Sequence, residues 1–140
     1  MLTLVLGPSG SGKTNYLIQR ANEDMGAGNG NIAFIDTDDS HIFSLDHQVR
    51  LINARNFKIS NVDQFYGFLA GIISRDFDLE KIYVDGIYEI VNTHEKLPEM
   101  MSALEALSKE NDVDILIGLD ADKNELPSNA EFQLVEVTSI

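Results

Sequence analysis

The stretch that most constrains the fold is LTLVL-GPSGSGKT-NYLIQR, residues 2–20. Leu2–Leu6 is a short, nearly unbroken apolar run, which reads as a strand buried on both faces. Glycines follow at Gly7, Gly10 and Gly12, and from Lys13 to about Met25 the chain has helical character, closed by the Gly/Asn-rich GAGNGN. A strand that turns through a glycine loop directly into a helix continues most simply as a crossover to a parallel strand.

The rest of the chain repeats that alternation. NIAFID (Asn31–Asp36) reads as a second buried strand and VRLINA (Val49–Ala54) as a weaker third. In residues 60–77, Phe65, Phe68, Leu69, Ile72 and Ile73 recur at i, i+3, i+4, i+7 and i+8, one face of a helix that Ser60 or Asn61 can cap. KIYVDG (Lys81–Gly86) is a further strand. Pro98 suits a first helical turn, and Leu97, Met100, Met101, Leu104 and Leu107 carry a helix to about Asn111. VDILIGLD (Val113–Asp120) and EFQLVEV (Glu131–Val137) read as the last two strands. This order predicts an α/β fold, a three-layer α/β/α sandwich with a mostly parallel sheet. With 140 residues and neither internal repeat nor linker, the expectation is a single domain over residues 1–140.

The loop has its own chemistry. Gly7-x-x-x-x-Gly12-Lys13-Thr14 matches the P-loop (Walker A) pattern in full. Its glycines let backbone N–H groups close around phosphate oxygens, and the following helix aims its free N–H groups and positive dipole end at an anion. The expected nucleotide-binding residues are Gly7, Pro8, Ser9, Gly10, Ser11, Gly12, Lys13, Thr14 and Asn15. Lys13 serves the terminal phosphates and Thr14 offers its hydroxyl to Mg²⁺.

Three expected strands end in aspartate: Asp36, Asp85 and Asp120. Ligands of open α/β sheets bind at the carboxyl ends of strands. Asp85, after KIYV, has the Walker-B pattern and is the expected second metal residue beside Thr14. Hydrolysis also needs a group that positions or deprotonates water. Gly86 stands where many P-loop ATPases carry Glu directly after the Walker-B Asp. Glu89, four residues past Asp85, and Asp38, just after the second strand, remain the two candidates.

Composition excludes several other classes. The net charge of −13 disfavours a nucleic-acid backbone as partner, while leaving room for a basic protein partner or a homo-oligomer. No apolar run approaches the length of a membrane span, and LTLVL lacks the length and basic flank of a signal peptide. With no cysteine, disulfides and thiol chemistry are absent, and a cytoplasmic location is the default expectation. DTDDSHIFSLDH lacks the Gly and Glu of a calcium loop. His41, His47 and His94 show no ligand-like spacing. No Asn-Lys-x-Asp stretch reads guanine, which favours ATP over GTP.

On these residues the chain resembles the RecA-like P-loop ATPases. Their loop often begins Gly-Pro and ends Gly-Lys-Thr, as in GPSGSGKT. The next strand in RecA is of the AFIDAEH kind, whose Glu is the catalytic base; here AFIDTDDSH places Asp38, one methylene shorter, at that position. A later strand ending Val-Asp-Ser is matched by IYVDG. The resemblance runs from Leu2 to about Leu119. It implies a P-loop NTPase fold of RecA-like type, ATP and Mg²⁺ as ligands, and slow hydrolysis through Lys13 with Asp38 or Glu89. Segments matching the recombinase's DNA-contacting loops, 86–98 and 120–131, are net acidic, so a DNA-motor role is not expected. Nor is a filament-assembly domain ahead of Leu2. Two alternatives stand beside the ATPase: a nucleotide-binding switch with little hydrolysis, and, more weakly, a nucleoside or nucleotide kinase, for which the chain has no arginine-rich lid and no zinc-binding Cys lobe.

Overall fold

A computed structural model describes residues 1–8, 10–28, 30–127 and 131–137. Its frame is a six-stranded parallel sheet formed by β1 (Leu2–Leu6), β2 (Asn31–Asp36), β3 (Arg50–Asn53), β4 (Leu79–Val84), β5 (Asp114–Leu119) and β6 (Gln133–Glu136). Among the described residues there are three α-helices: α1 (Lys13–Gly26), α2 (Val62–Arg75) and α3 (Leu97–Asn111). The strand order is β3-β2-β4-β5-β1-β6.

This order explains where the helices lie. The crossover β1–α1–β2 runs one way along the sheet, and β3–α2–β4 and β4–α3–β5 run the other way. Crossovers of one hand travelling in opposite directions must cover opposite faces. Accordingly, Leu17, Ile18 and Ala21 of α1 pack with Val5, Phe34, Tyr83 and Leu116 on one face. Phe65 and Leu69 of α2, with Met101 and Leu104 of α3, pack with Leu4, Ile35, Val84 and Ile117 on the other. Adjacent strand residues point to opposite faces, so the unbroken apolar runs of β1, β2, β4 and β5 feed two cores.

Local signals set the ends. Asn61, not Ser60, caps α2: its side chain accepts from the Gln64 amide at 2.8 Å. The Ser60 amide and hydroxyl donate instead to Gln64 Oε1. The helix is therefore shorter than the 60–77 expectation at both ends. Asp112 closes α3 in the left-handed region, at φ 53°, where its amide bonds Ser108 O. β3 and β6 are the edges, shorter and more exposed than the central strands, and each is narrower than its apolar pattern suggested. β4 stops at Val84, which leaves Asp85 just past the strand.

Phe65 is fully buried between α2 and the sheet, whereas Phe43 is 98% exposed in the loop after β2. Phe65→Ala is expected to cost about 3–5 kcal/mol and Phe43→Ala less than about 0.5 kcal/mol in urea unfolding. Similar losses at the two positions would contradict this core.

Candidate functional site

All six strands point the same way, so their carboxyl ends share one edge, where the loop after β1 also lies. Register then fixes which side chains meet. Ile35 pairs with Val84, and the Asp85 amide donates to Ile35 O at 2.8 Å, so Asp36 and Asp85 emerge side by side. On the other side of β5, Leu6 pairs with Leu119, which sets Gly7 beside Asp120.

The loop after β1 turns through Gly10 (φ 80°) and Gly12 (φ 102°), and Gly12 caps α1. Both conformations favour glycine. At Gly7 a Cβ would collide with Ser11 Oγ and the Val137 carbonyl oxygen, so the loop packs there against its own Ser11 and the residue after β6. Ser11 Oγ is buried without a hydrogen-bond partner among the described residues. Such an orphan inside a glycine loop at a helix N-terminus fits an incoming anionic acceptor. Ser9, also expected to bind nucleotide, lies outside the described residues.

Lys13, 4% exposed, donates to the carbonyl oxygens of Gly7 and Pro8, and its ammonium lies 5.3 Å from the centre of the Tyr88 ring. No carboxylate forms an ion pair with it among the described residues. Burial lowers its pKa, opposed by the charges of Asp120 and Asp85. It is a cation held by neutral groups, which leaves its charge available to a bound anion. Gly10 to Asn15, His41 and Tyr88 line a cavity of about 270 Å³ directly over the start of α1.

Thr14 Oγ1 donates to Asp85 Oδ2 at 2.9 Å, joining the loop to the end of β4. Burial pushes the Asp85 carboxyl above the usual range, against the Thr14 hydrogen bond, and the charge of Asp36 pushes it further. Both expected metal residues therefore meet.

The two candidates for positioning water sit differently. Gly86, at φ 71°, turns the chain after Asp85 into a 3-10 turn, Ile87–Glu89. Glu89 Oε2 accepts from Thr37 Oγ1 at 3.1 Å and lies 3.6 Å from the Arg55 guanidinium, whose Nε donates to Thr37 O at 2.8 Å. Asp38 is exposed, and its Oδ1 accepts from the Ser40 amide and hydroxyl. Those bonds hold its carboxyl below the usual range, which weakens it as a proton acceptor. Among the described residues no hydrogen bond ties Asp38 to Lys13, Thr14 or Asp85.

Three contributors were not evident from spacing. Thr37 and Tyr88 belong to no motif. His41 lacked ligand-like spacing, yet its Nδ1 lies 3.1 Å from Asp36 Oδ2. The one signal in the sequence was its position five residues past a strand-end aspartate. No protein-family model matches the chain, and comparison with curated proteins gives no match. Among the described residues no helix is long and apolar enough to cross a membrane.

Beside the loop, His94 bridges Glu125 (2.8 Å) and Asp120 (3.0 Å), and the Glu125 hydrogen bond leads the effects that raise its pKa. A histidine raised on folding contributes stability that is full below its unfolded value, about 6.5, and fades as pH rises through the folded one. His94→Gln is therefore expected to lower Tm more at pH 5.5 than at pH 8.5. An equal change at both would contradict the bridge.

Proposed function

We propose that this protein binds ATP with Mg²⁺ at the loop after β1, and hydrolyses it slowly, as a P-loop NTPase of RecA-like type built as a three-layer α/β/α sandwich. The observation that carries the reading is the 2.9 Å hydrogen bond between Thr14 and Asp85, which are 71 residues apart in sequence. A hydroxyl and a strand-end carboxylate thus meet beside a buried lysine that forms no ion pair among the described residues, the combination that phosphates and a divalent ion require.

The residues divide the work. Backbone N–H groups of the glycine loop and Ser11 Oγ hold phosphate oxygens, and Lys13 turns from the Gly7 and Pro8 carbonyls to the terminal phosphate. Thr14 and Asp85 hold Mg²⁺, which supplies charge neutralisation on the phosphates when bound. Glu89, clamped by Thr37 and Arg55, positions water. Asp38 is tied to its own turn and is the weaker candidate for that role.

A switch is the second reading, and a specific observation favours it. The loop from residue 37 to 49 places His41 in the cavity and, two residues on, Phe43 almost fully in solvent. A loop that senses the ligand at one residue and exposes an aromatic ring at another suits a protein partner.

Phosphate release from Mg-ATP tests the hydrolase. Glu89→Gln is expected to slow it about 100-fold with ATP affinity held within about threefold, while Lys13→Ala lowers both. Asp38→Asn is expected to stay near the wild-type rate. Turnover unchanged in Lys13→Ala defeats the assignment. Tight binding with no turnover in any form favours the switch.

A further inference from the structure

Asp36 and Asp85 are 3% and 5% exposed, and among the described residues neither is paired with a lysine or arginine. One buried carboxylate without a cation is costly, and two side by side also repel each other. Their neighbour is His41, whose ring nitrogen faces Asp36 and which also borders the open cavity over α1.

The geometry is that of a ligand set. One donor atom from each of Asp36, His41 and Asp85 lies within 4.8 Å of the other two. Two donors bound at right angles to one ion, each about 2.1 Å away, stand about 3.0 Å apart. Asp36 Oδ2 and His41 Nδ1 are 3.1 Å apart, and Thr14 Oγ1 and Asp85 Oδ2 are 2.9 Å apart. Both are hydrogen-bond distances that equal the spacing of adjacent ligands, so an ion can enter by displacing a proton with little movement of the donors. The donors come from the ends of two paired strands and from the loop after one of them, so the register that aligns Asp36 with Asp85 also preorganises the set.

We propose that Asp36, His41 and Asp85 form a site for a divalent transition-metal ion of the Mn²⁺, Co²⁺ or Zn²⁺ class, which binds without nucleotide. The imidazole sets the class: Mg²⁺ takes oxygen donors and keeps its waters, whereas the other ions accept nitrogen beside carboxylate. Three protein donors leave coordination positions for the Thr14 hydroxyl, water or an anion. The inference goes beyond ATP binding, in which only Thr14 and Asp85 serve a metal. The ion also gives a full countercharge to two buried acids that, among the described residues, meet only the Thr37 amide, His41 and the Thr14 hydroxyl.

Titrating Co²⁺ alone into the nucleotide-free 140-residue chain, with visible absorption as readout, tests the site. One saturable Co²⁺ per chain is expected. Its affinity should fall about tenfold or more in His41→Ala and in Asp36→Asn, and stay unchanged in His47→Ala, a solvent-exposed histidine on the same loop. In the wild type, Mn²⁺ should broaden the backbone amide signals of Asp36, His41 and Asp85 before those around His47 and His94, a readout independent of any variant's folding. Co²⁺ binding equally tightly to His41→Ala, no saturable binding, or broadening that begins elsewhere overturns the proposal. Co²⁺ bound at this site by a protein that fails to bind ATP upholds it and defeats the nucleotide reading alone.

Discussion

The candidate site depends on one rung of the sheet, the hydrogen bond from the Asp85 amide to the Ile35 carbonyl. That rung continues the β2–β4 ladder one residue past β4 and holds Asp36 and Asp85 at the same level. A slip of one residue would turn one of the two acids toward the opposite face of the sheet. Thr14, Thr37, His41 and Glu89 are all organised around the two strand ends that this rung joins, through contacts with Asp36, Asp85 or the turn after Asp85. The two hydrophobic cores protect the register by burying alternate residues of both strands on opposite faces.

The helices serve this edge in different ways. α1 begins at Lys13, so the same residues that open the helix present its N-terminal amides and the lysine to the cavity. α2 and α3 take no part in the cavity; they cover the other face and let β2, β4 and β5 be buried on both sides. Glycine stands where the backbone of this edge turns most sharply. Gly10, Gly12 and Gly86 adopt positive φ at the two turns that flank the Thr14–Asp85 bond, and these turns require backbone shapes that other residues adopt with strain.

Sequence patterns disclosed the frame well because parallel strands buried on both faces leave continuous apolar runs, as in Leu2–Leu6 and Asn31–Asp36. The edge strands were harder to delimit: β6 is largely exposed and β3 only half-buried, and their patterns blur into the flanking loops. The glycine loop was legible because its chemistry is local and its spacing is fixed. Asp85 was legible as an acid closing an apolar run. His41, Thr37 and Tyr88 were not, because their roles arise from strand register, from the path of a loop without regular structure, and from the turn made by Gly86. The Ser40-bound state of Asp38 is by contrast local: an aspartate accepting from the amide and hydroxyl two residues on is a turn that Asp38-Asp39-Ser40 itself offers.

The central claim is that the loop after β1 holds the phosphates of an adenine nucleotide through Lys13, with a divalent ion on Thr14 and Asp85. Calorimetric titration of the wild-type chain with ATP, ADP and GTP, each with Mg²⁺ and with a chelator, tests it most directly. The account predicts saturable one-to-one binding of Mg-ATP, tighter than GTP and weakened by removal of Mg²⁺. Absence of heat from all three nucleotides, or binding indifferent to both the phosphates and the ion, would contradict it.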